Sequence, residues 1–443
     1  MAMHYQLKLP LQSRVNELTR SFDIDNEQKL KELLKEDLTF SGQKASFGVH
    51  GLHPFPAKFP PQLVRHFVRG LTIPGELVLD PMVGSGTTLV EAVSLGRNAI
   101  GIDLDPLAIM VSKAKSCPVD TQRCLTEGTR ILRKTKRVEL KANKLSKIYS
   151  DDALEFFKYW FPGHVIKQLA VLAMEINKID DVSTKTLLTV VFSSCIISKN
   201  GGLSLALDLA HSRPHRSISK TIKEDAFSAF QNRLEKTVSA LDSYSDLKGH
   251  CSVIRADARS LPIPDESVDL IVTSPPYAAN AIDYMRAHKF TLMWLGFDPH
   301  YLTRLRRDYV GAELKSLVQE FDSDSANEVV RILRKRDHSR AAVVAHYFND
   351  MTKTFSEMHR VLKPGKVAII VAGSSVIRGV NTKTPTTLAE LARSVGFKVA
   401  GLATRQIERN GRMMPTSHNS RKVGIEARMH EEGIIALIRP KER

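Results

Sequence analysis

Cysteine and tryptophan are scarce in this chain, with four of the first (Cys117, Cys124, Cys195 and Cys251) and two of the second among 443 residues. The cysteines show neither a paired C-x-x-C spacing nor the density of a secreted, disulfide-stapled domain. A zinc site is therefore not expected, and reduced thiols in a cytoplasm are. Long apolar runs are missing as well. The longest, LLTVVFSSCII at 187–197, is too short to span a bilayer. MAMHYQLKLP lacks the charged-then-apolar order of a signal peptide, so a soluble protein without a membrane partner is the expectation. Internal repeats and low-complexity segments are absent too. What the chain has in excess is positive charge: 64 Lys and Arg against 48 Asp and Glu, a net +16. Such a field suits a polyanion, and nucleic acid is the first candidate. With 42% hydrophobic and 25% charged residues, the chain is long enough for two or three packed units.

Residues 21–38 carry Leu30, Leu33, Leu34 and Leu38 on one helix face behind an Asp or Asn cap, a lead-in occupying 1–48. GLHPFPAKFPPQLVRHFV (51–68) is proline-stiffened and turns helical after Pro60-Pro61. GELVLDPMVGSGTTLVEAVSLGRNAIGIDLDP (75–106) passes from strand through a glycine turn into a helix and back to strand, a βαβ unit. Further strands are read in CSVIRADA (251–258) and VDLIVTSPPY, and MHRVLKPGKVAIIVAGS (358–374) reads as helix, Pro-Gly turn and strand. The alternation implies an α/β fold with a doubly wound, mostly parallel sheet. Residues 111–250 break the rhythm as helical material, clearest at 155–179 and 184–198, and an insertion of that length is a subdomain. One basic run there (Arg130, Arg133, Lys134, Lys136, Arg137, Lys141, Lys144, Lys147) and another at 301–340 (Arg304, Arg306, Arg307, Arg331, Arg334, Lys335, Arg336, Arg340) read as a phosphate track or as solvated helix faces.

In DPMVGSGTT, Gly84 and Gly86 allow a tight turn and close approach to a ligand, and the following helix offers free N–H groups. Asp103 ends the next strand about 20 residues on, where a carboxylate accepts both hydroxyls of a ribose. A dinucleotide enzyme would show a third glycine, but Thr87-Thr88-Leu89 stands there instead. Asp80 at the mouth of the loop would repel a pyrophosphate and attract a cation such as an ammonium or sulfonium. S-adenosylmethionine carries both.

Together DPMVGSGTT, GIDLDP, ADARSLPIPDESVDLIVTSPPY and HPFPAKFPPQLV resemble the S-adenosylmethionine-dependent DNA amino-methyltransferases of the TSPPY type, which act on cytosine N4 or adenine N6. Matched stretches cover 51–110, 251–296 and about 345–443, roughly half of the chain. The resemblance implies a class I methyltransferase, Rossmann-like sheet. It also implies that Asp80, Gly84 and Gly86 line the methionine moiety, with Thr87 among the cofactor-binding residues. Asp103 would hold the ribose, Asp257 would meet the adenine amine, and Lys58 and Phe59 would close the other side. A turn cap before ARSLP is the plainer alternative for Asp257. The implied layout is a catalytic domain of 49–110, 250–300 and 345–443, a target-recognition insertion at 111–249 and a basic insertion at 301–344. In one known arrangement of the family the recognition domain falls after the third strand, not before it, so 297–345 is the second choice for that role.

The SPPY stretch carries the chemistry. An exocyclic amine is a poor nucleophile because its lone pair is delocalised, and two acceptors for its N–H groups would localise it for in-line attack on a methyl group. Ser274 Oγ is one acceptor and the Pro275 carbonyl the second. Pro275 and Pro276 fix φ and remove competing donors. Tyr277 offers a face on which a base rotated out of duplex DNA stacks. In the family, Ser before Pro-Pro-Tyr is usual for cytosine N4, and Asp or Asn for adenine N6. A cytosine C5 enzyme is disfavoured because no cysteine follows a proline in such a loop. Adenine N6 methylation, RNA guanine-N2 methylation and a non-catalytic nucleic-acid-binding protein are the alternatives. A cognate restriction endonuclease is a conceivable partner, and nothing fixes the oligomeric state. His211 and His215 are separated by Pro214, which spoils a metal-binding helix face. Asp283 and Tyr284 either orient the target or start a helix, and 408–415 could form a loop over the target.

Overall fold

A computed structural model describes residues 26–56, 58–135, 145–198, 202–207, 209, 215–217, 219–222, 224–244, 248–278, 283–314, 320–407 and 430–441. Seven strands form its sheet: β1 (Leu77–Asp80), β2 (Asn98–Asp103), β3 (Cys251–Arg255), β4 (Val268–Thr273), β5 (Leu362–Ala372), β6 (Lys398–Gln406) and β7 (Glu431–Ile438). Their order is β3-β2-β1-β4-β5-β7-β6. The first five are parallel, whereas β7 lies antiparallel to both β5 and β6. This is a Rossmann-like, doubly wound sheet, as expected from the sequence.

Side chains alternate across the sheet with the period of two that strands impose. Val78, Leu270, Val272, Ile369 and Ile434 enter one apolar core with Phe67, Val68 and Leu89. Leu79, Ile271, Ala368, Ile370 and Ile435 enter the opposite core with Phe348, Phe355 and Leu388. Helices α1 (Asn26–Leu33), α2 (Pro61–Leu71) and α3 (Thr87–Ser94) cover the first face. Pro61 stands at the first turn of α2, where its missing N–H costs nothing. α4 (Pro106–Ser116) follows β2, with Asp105 as its cap.

The insertion contributes α5 (Thr121–Thr135), α6 (Asp151–Trp160), α7 (Gly163–Asn177), α8 (Val182–Ile196) and α9 (Ala226–Asp242). The helix expected over 155–179 is thus two, because the chain extends through Phe161 and Pro162 before α7 begins. These helices share a separate core that also takes in α10 (Tyr284–Leu292) and α11 (Pro299–Asp308). Phe157 stacks on Trp294 with ring centroids 3.6 Å apart, tying α6 to the segment that follows the SPPY stretch.

α12 (Asp324–Arg336), α13 (His338–Val361) and α14 (Thr384–Ser394) cover the second face. The Pro-Gly turn expected between helix and strand at 364–365 is a different feature. β5 starts at Leu362 and runs through Pro364 and Gly365, with a register shift against β4 between the Val268–Leu362 and Leu270–Val367 pairs. Among the described residues, no helix is long and apolar enough to cross a membrane.

Candidate active site

Parallel strands put their carboxyl ends on one edge, and β1 lies beside β4 where the strand order reverses. A cleft with about 1010 Å³ of free space, open solvent included, lies there. Ten residues singled out from the sequence line it: Lys58, Phe59, Asp80, Gly84, Thr87, Asp103, Asp257, Ser274, Pro276 and Tyr284. Gly86, Pro275 and Tyr277 are not among its lining residues.

Asp80 ends β1 and is 3% exposed. Its Oδ1 accepts from Thr273 Oγ1 at 2.7 Å and from the Met82 amide at 3.2 Å. One carboxylate thereby links the end of β1 to the end of β4. Burial pushes its carboxyl up to about 6. The turn after Asp80 closes through Gly86 N to Val83 O at 2.8 Å.

The two glycines of this turn serve different needs. Gly84 (φ +47°) faces the cleft and sends its N–H to Asp103 Oδ2 at 2.9 Å. Gly86 (φ +81°) caps α3, and a Cβ on it would stand 2.8 Å from the Ser112 Cα of α4. Helix packing and the positive φ both exclude a side chain there, and Gly86 is not in the cleft lining.

Asp103 also accepts the Asp105 amide through Oδ1 at 2.9 Å. Both its oxygens thus hold the loop while retaining lone pairs toward the cleft. Burial, with the charge of Asp105 nearby, pushes its carboxyl up to about 7. Asp105 itself lines the cleft and was missed as a site residue. Its Oδ1 caps α4 through the Leu107 and Ala108 amides at 2.8 and 3.2 Å. Its Oδ2 receives His288 Nδ1 at 2.7 Å and the Tyr309 hydroxyl at 2.8 Å. Burial opposes its ionisation, but His288 and Tyr309 hold the carboxyl below its ordinary value. The Asp-Pro pair in GIDLDP was the available signal, since Asp before a first-turn Pro is a cap.

Asp257 both lines the cleft and caps its turn. Its Oδ1 accepts the Arg259 amide at 2.9 Å, and Arg259 grips the carboxylate from Nε and from NH2, the latter at 2.7 Å. Burial raises its carboxyl, yet Arg259 more than offsets this and leaves it lowered. Lys58 Nζ donates to His50 O at 2.8 Å, which fixes the proline-rich segment against the cleft. Phe55 from that segment packs on Tyr284 with centroids 5.6 Å apart, and both rings line the wall. Of the Asp283–Tyr284 pair, Tyr284 therefore faces the cleft. Asp283 is ion-paired with Arg286 at 2.7 Å and Arg306 at 2.6 Å.

Ser274 follows β4 directly and lines the cleft. Its Oγ donates to Val371 O of β5 at 3.0 Å. A hydroxyl that spends its proton this way keeps both lone pairs as acceptors. Tyr277 is turned to another partner: its hydroxyl donates to Glu432 Oε1 at 3.1 Å, and Arg405 Nε bonds the other Glu432 oxygen at 2.8 Å.

Of the first basic run, Lys134 is ion-paired with Glu175 at 2.8 Å and Arg130 with Glu127 at 2.7 Å, while Lys136, Arg137, Lys141 and Lys144 lie outside the described residues. In the second, Arg304, Arg307, Arg331, Arg334, Lys335 and Arg336 are exposed. His211 and the 408–415 stretch also lie outside the described residues. Among the described residues, no group of three or more His, Cys, Asp or Glu side chains could hold a metal ion.

The DNA methylase family of the N6/N4 type matches residues 10–113. The chain is similar to Type II methyltransferase M.MvaI of Kocuria varians, 24% identical over 94% of this chain and 98% of that one. It is also similar to Type II methyltransferase M.BsoBI of Geobacillus stearothermophilus, 23% identical over 84% of each. Type II methyltransferase M.MjaII of Methanocaldococcus jannaschii is 38% identical over a shorter stretch, 30% of this chain and 24% of that one.

Proposed function

We propose that the chain is an S-adenosylmethionine-dependent DNA amino-methyltransferase of the N4/N6 family and that it methylates N4 of cytosine at a recognised site in duplex DNA. The observation that carries this reading is the Ser274 hydroxyl, whose proton is committed to Val371 O while it lines the cleft. A neutral acceptor of this kind suits the cytosine amine.

The cleft residues fit the cofactor. Asp80 is a buried carboxylate with Oδ1 engaged, suited to a cationic group. Asp103 has lone pairs for ribose hydroxyls, and Asp257, also in the cleft lining, is read as the acceptor for the adenine amine. When bound, the cofactor supplies an electrophilic methyl group on sulfur. In this reading Ser274 Oγ accepts one N–H of the target amine and turns its lone pair toward that methyl, with the Pro275 carbonyl, which is outside the cleft lining here, as the second acceptor once a base is bound. Pro276 keeps a competing donor out of the turn. The target base leaves the duplex to reach the cleft, as chemistry on a base requires. The helical insertion and the exposed arginines of α11 and α12 are read as the DNA-facing surface, so affinity for duplex DNA should fall steeply with salt. The Type II names of the relatives support a role beside a cognate endonuclease.

The deciding experiment is nucleoside analysis of DNA methylated by the purified chain. N4-methylcytosine is the expected product. N6-methyladenine alone would overturn the base assignment and leave the family intact.

A further inference from the structure

Two of the four cysteines stand together at the root of the helical insertion. Cys117 ends α4, where the chain leaves the sheet domain, and Cys251 opens β3, where it returns 134 residues later. The two residues touch. Cys117 Sγ also lies 3.9 Å from Cys251 O, and Cys251 Sγ lies 3.2 Å from Ser116 Oγ. Both cysteines are half-buried, whereas Cys124 and Cys195 are buried. We infer that Cys117 and Cys251 form a dithiol site that reacts with small-molecule disulfides, such as oxidised glutathione, and closes into a bond clasping the two ends of the insertion.

The steps balance. Cys117 as thiolate attacks one sulfur of the small disulfide and expels one thiolate. Cys251 then loses its proton to solvent, attacks the Cys117 sulfur and expels the second. Two protein thiols and one disulfide become one protein disulfide and two small thiols. The order of attack follows from the surroundings. The neighbouring Cys251 draws the Cys117 thiol down to about 7, so a sizeable thiolate fraction exists near neutral pH. Burial pushes the thiols of Cys124 and Cys195 up to about 11 and 12, which leaves them inert. Neither Cys117 nor Cys251 lines the cleft, so the reaction touches the attachment of the insertion and not the chemistry beside Ser274.

The test treats the native, full-length chain with oxidised glutathione, followed by non-reducing peptide mapping. The expected result is loss of two hydrogen masses and a Cys117–Cys251 cross-link in place of stable glutathione adducts. In C251S, Cys117 should retain one glutathione, because nothing resolves the mixed disulfide. C124S and C195S should cross-link like the parent. Free Cys117 and Cys251 in the treated, folded parent, a persistent adduct on Cys117, or a link to Cys124 or Cys195 would each overturn the assignment.

Discussion

On the side of the cleft assigned to the cofactor, the polar groups are strand-end carboxylates engaged partly by neighbouring chain and partly from across the sheet: Asp103 by Gly84 and Asp105, Asp80 by Met82 and by Thr273 at the end of β4. On the catalytic side the Ser274 hydroxyl lines the cleft, and the aromatic ring three residues on is tied to Glu432 of β7 instead. Asp103 is set by local chain, within two residues and across one βαβ unit, whereas Asp80 is set both by Met82 and by Thr273, 193 positions on. Tyr277 is set by a strand 155 positions away. Both walls draw on distant chain, but Asp80 and Asp103 are held from the ends of β1, β2 and β4 and the turns after them, whereas Tyr277 is held from β7.

The sharpest way to break this contrast is Ser274→Ala. Methyl transfer should fall by about 10²–10³-fold, the scale for one preorganised polar contact, with cofactor affinity unchanged. Single-turnover rates and calorimetry check it, and equal losses in both would move Ser274 to the cofactor side. Asp80→Asn keeps an acceptor for Thr273 and removes the charge. It should weaken S-adenosylmethionine binding by about 10- to 100-fold, the worth of a charged hydrogen bond. Unchanged calorimetric affinity would take Asp80 out of the cofactor wall.

A smaller effect concerns pH. In the ligand-free fold the carboxyls of Asp80 and Asp103 are raised to about 6 and about 7, above their unfolded values. The folded state therefore holds extra protons, and the stability they lend is complete at acid pH and lost as pH rises through 7. A cationic ligand and ribose donors favour the ionised forms, so binding should release protons below pH 7. Affinity should then rise up to about tenfold per unit of pH for each proton released, and level off above 7. Calorimetry at pH 6 in two buffers of different ionisation heat measures the release, and a value of zero would part these carboxyls from the ligand. The mildest change is Tyr277→Phe. It keeps the ring and loses the Glu432 contact, and should cost about 0.5–1.5 kcal/mol of stability in a denaturant titration. Cofactor binding should be unaffected. A collapse of catalysis to the level of Ser274→Ala would give the phenol a direct part in the chemistry.

The sheet was legible wherever alternating runs met glycine or proline punctuation, as from Leu77 to Asp103 and at VDLIVTSPPY. The two antiparallel strands β6 and β7 were not, because their pairing depends on partners far along the chain. The Pro364–Gly365 pair misled for a similar reason: strand pairing carried β5 through a dipeptide that locally reads as a turn. Within the cleft, residues adjoining a strand end were readable from Asp80 to Ser274. Tyr309, which reaches Asp105 from past the end of α11, had no local signal. The packing of Gly86 was not legible, since a glycine demanded by a neighbouring helix and one demanded by a ligand look alike in one dimension.

The place of β7, last of the strands in chain order yet wedged between β5 and β6, has a consequence for biosynthesis. Glu432 leaves the ribosome 155 residues after the tyrosine it secures. At ordinary elongation speeds of 5–20 residues per second, that is a lag of roughly 8–30 s. Through that interval the nascent polypeptide already carries both glycines and all the acidic strand ends, while its SPPY turn still awaits the clamp.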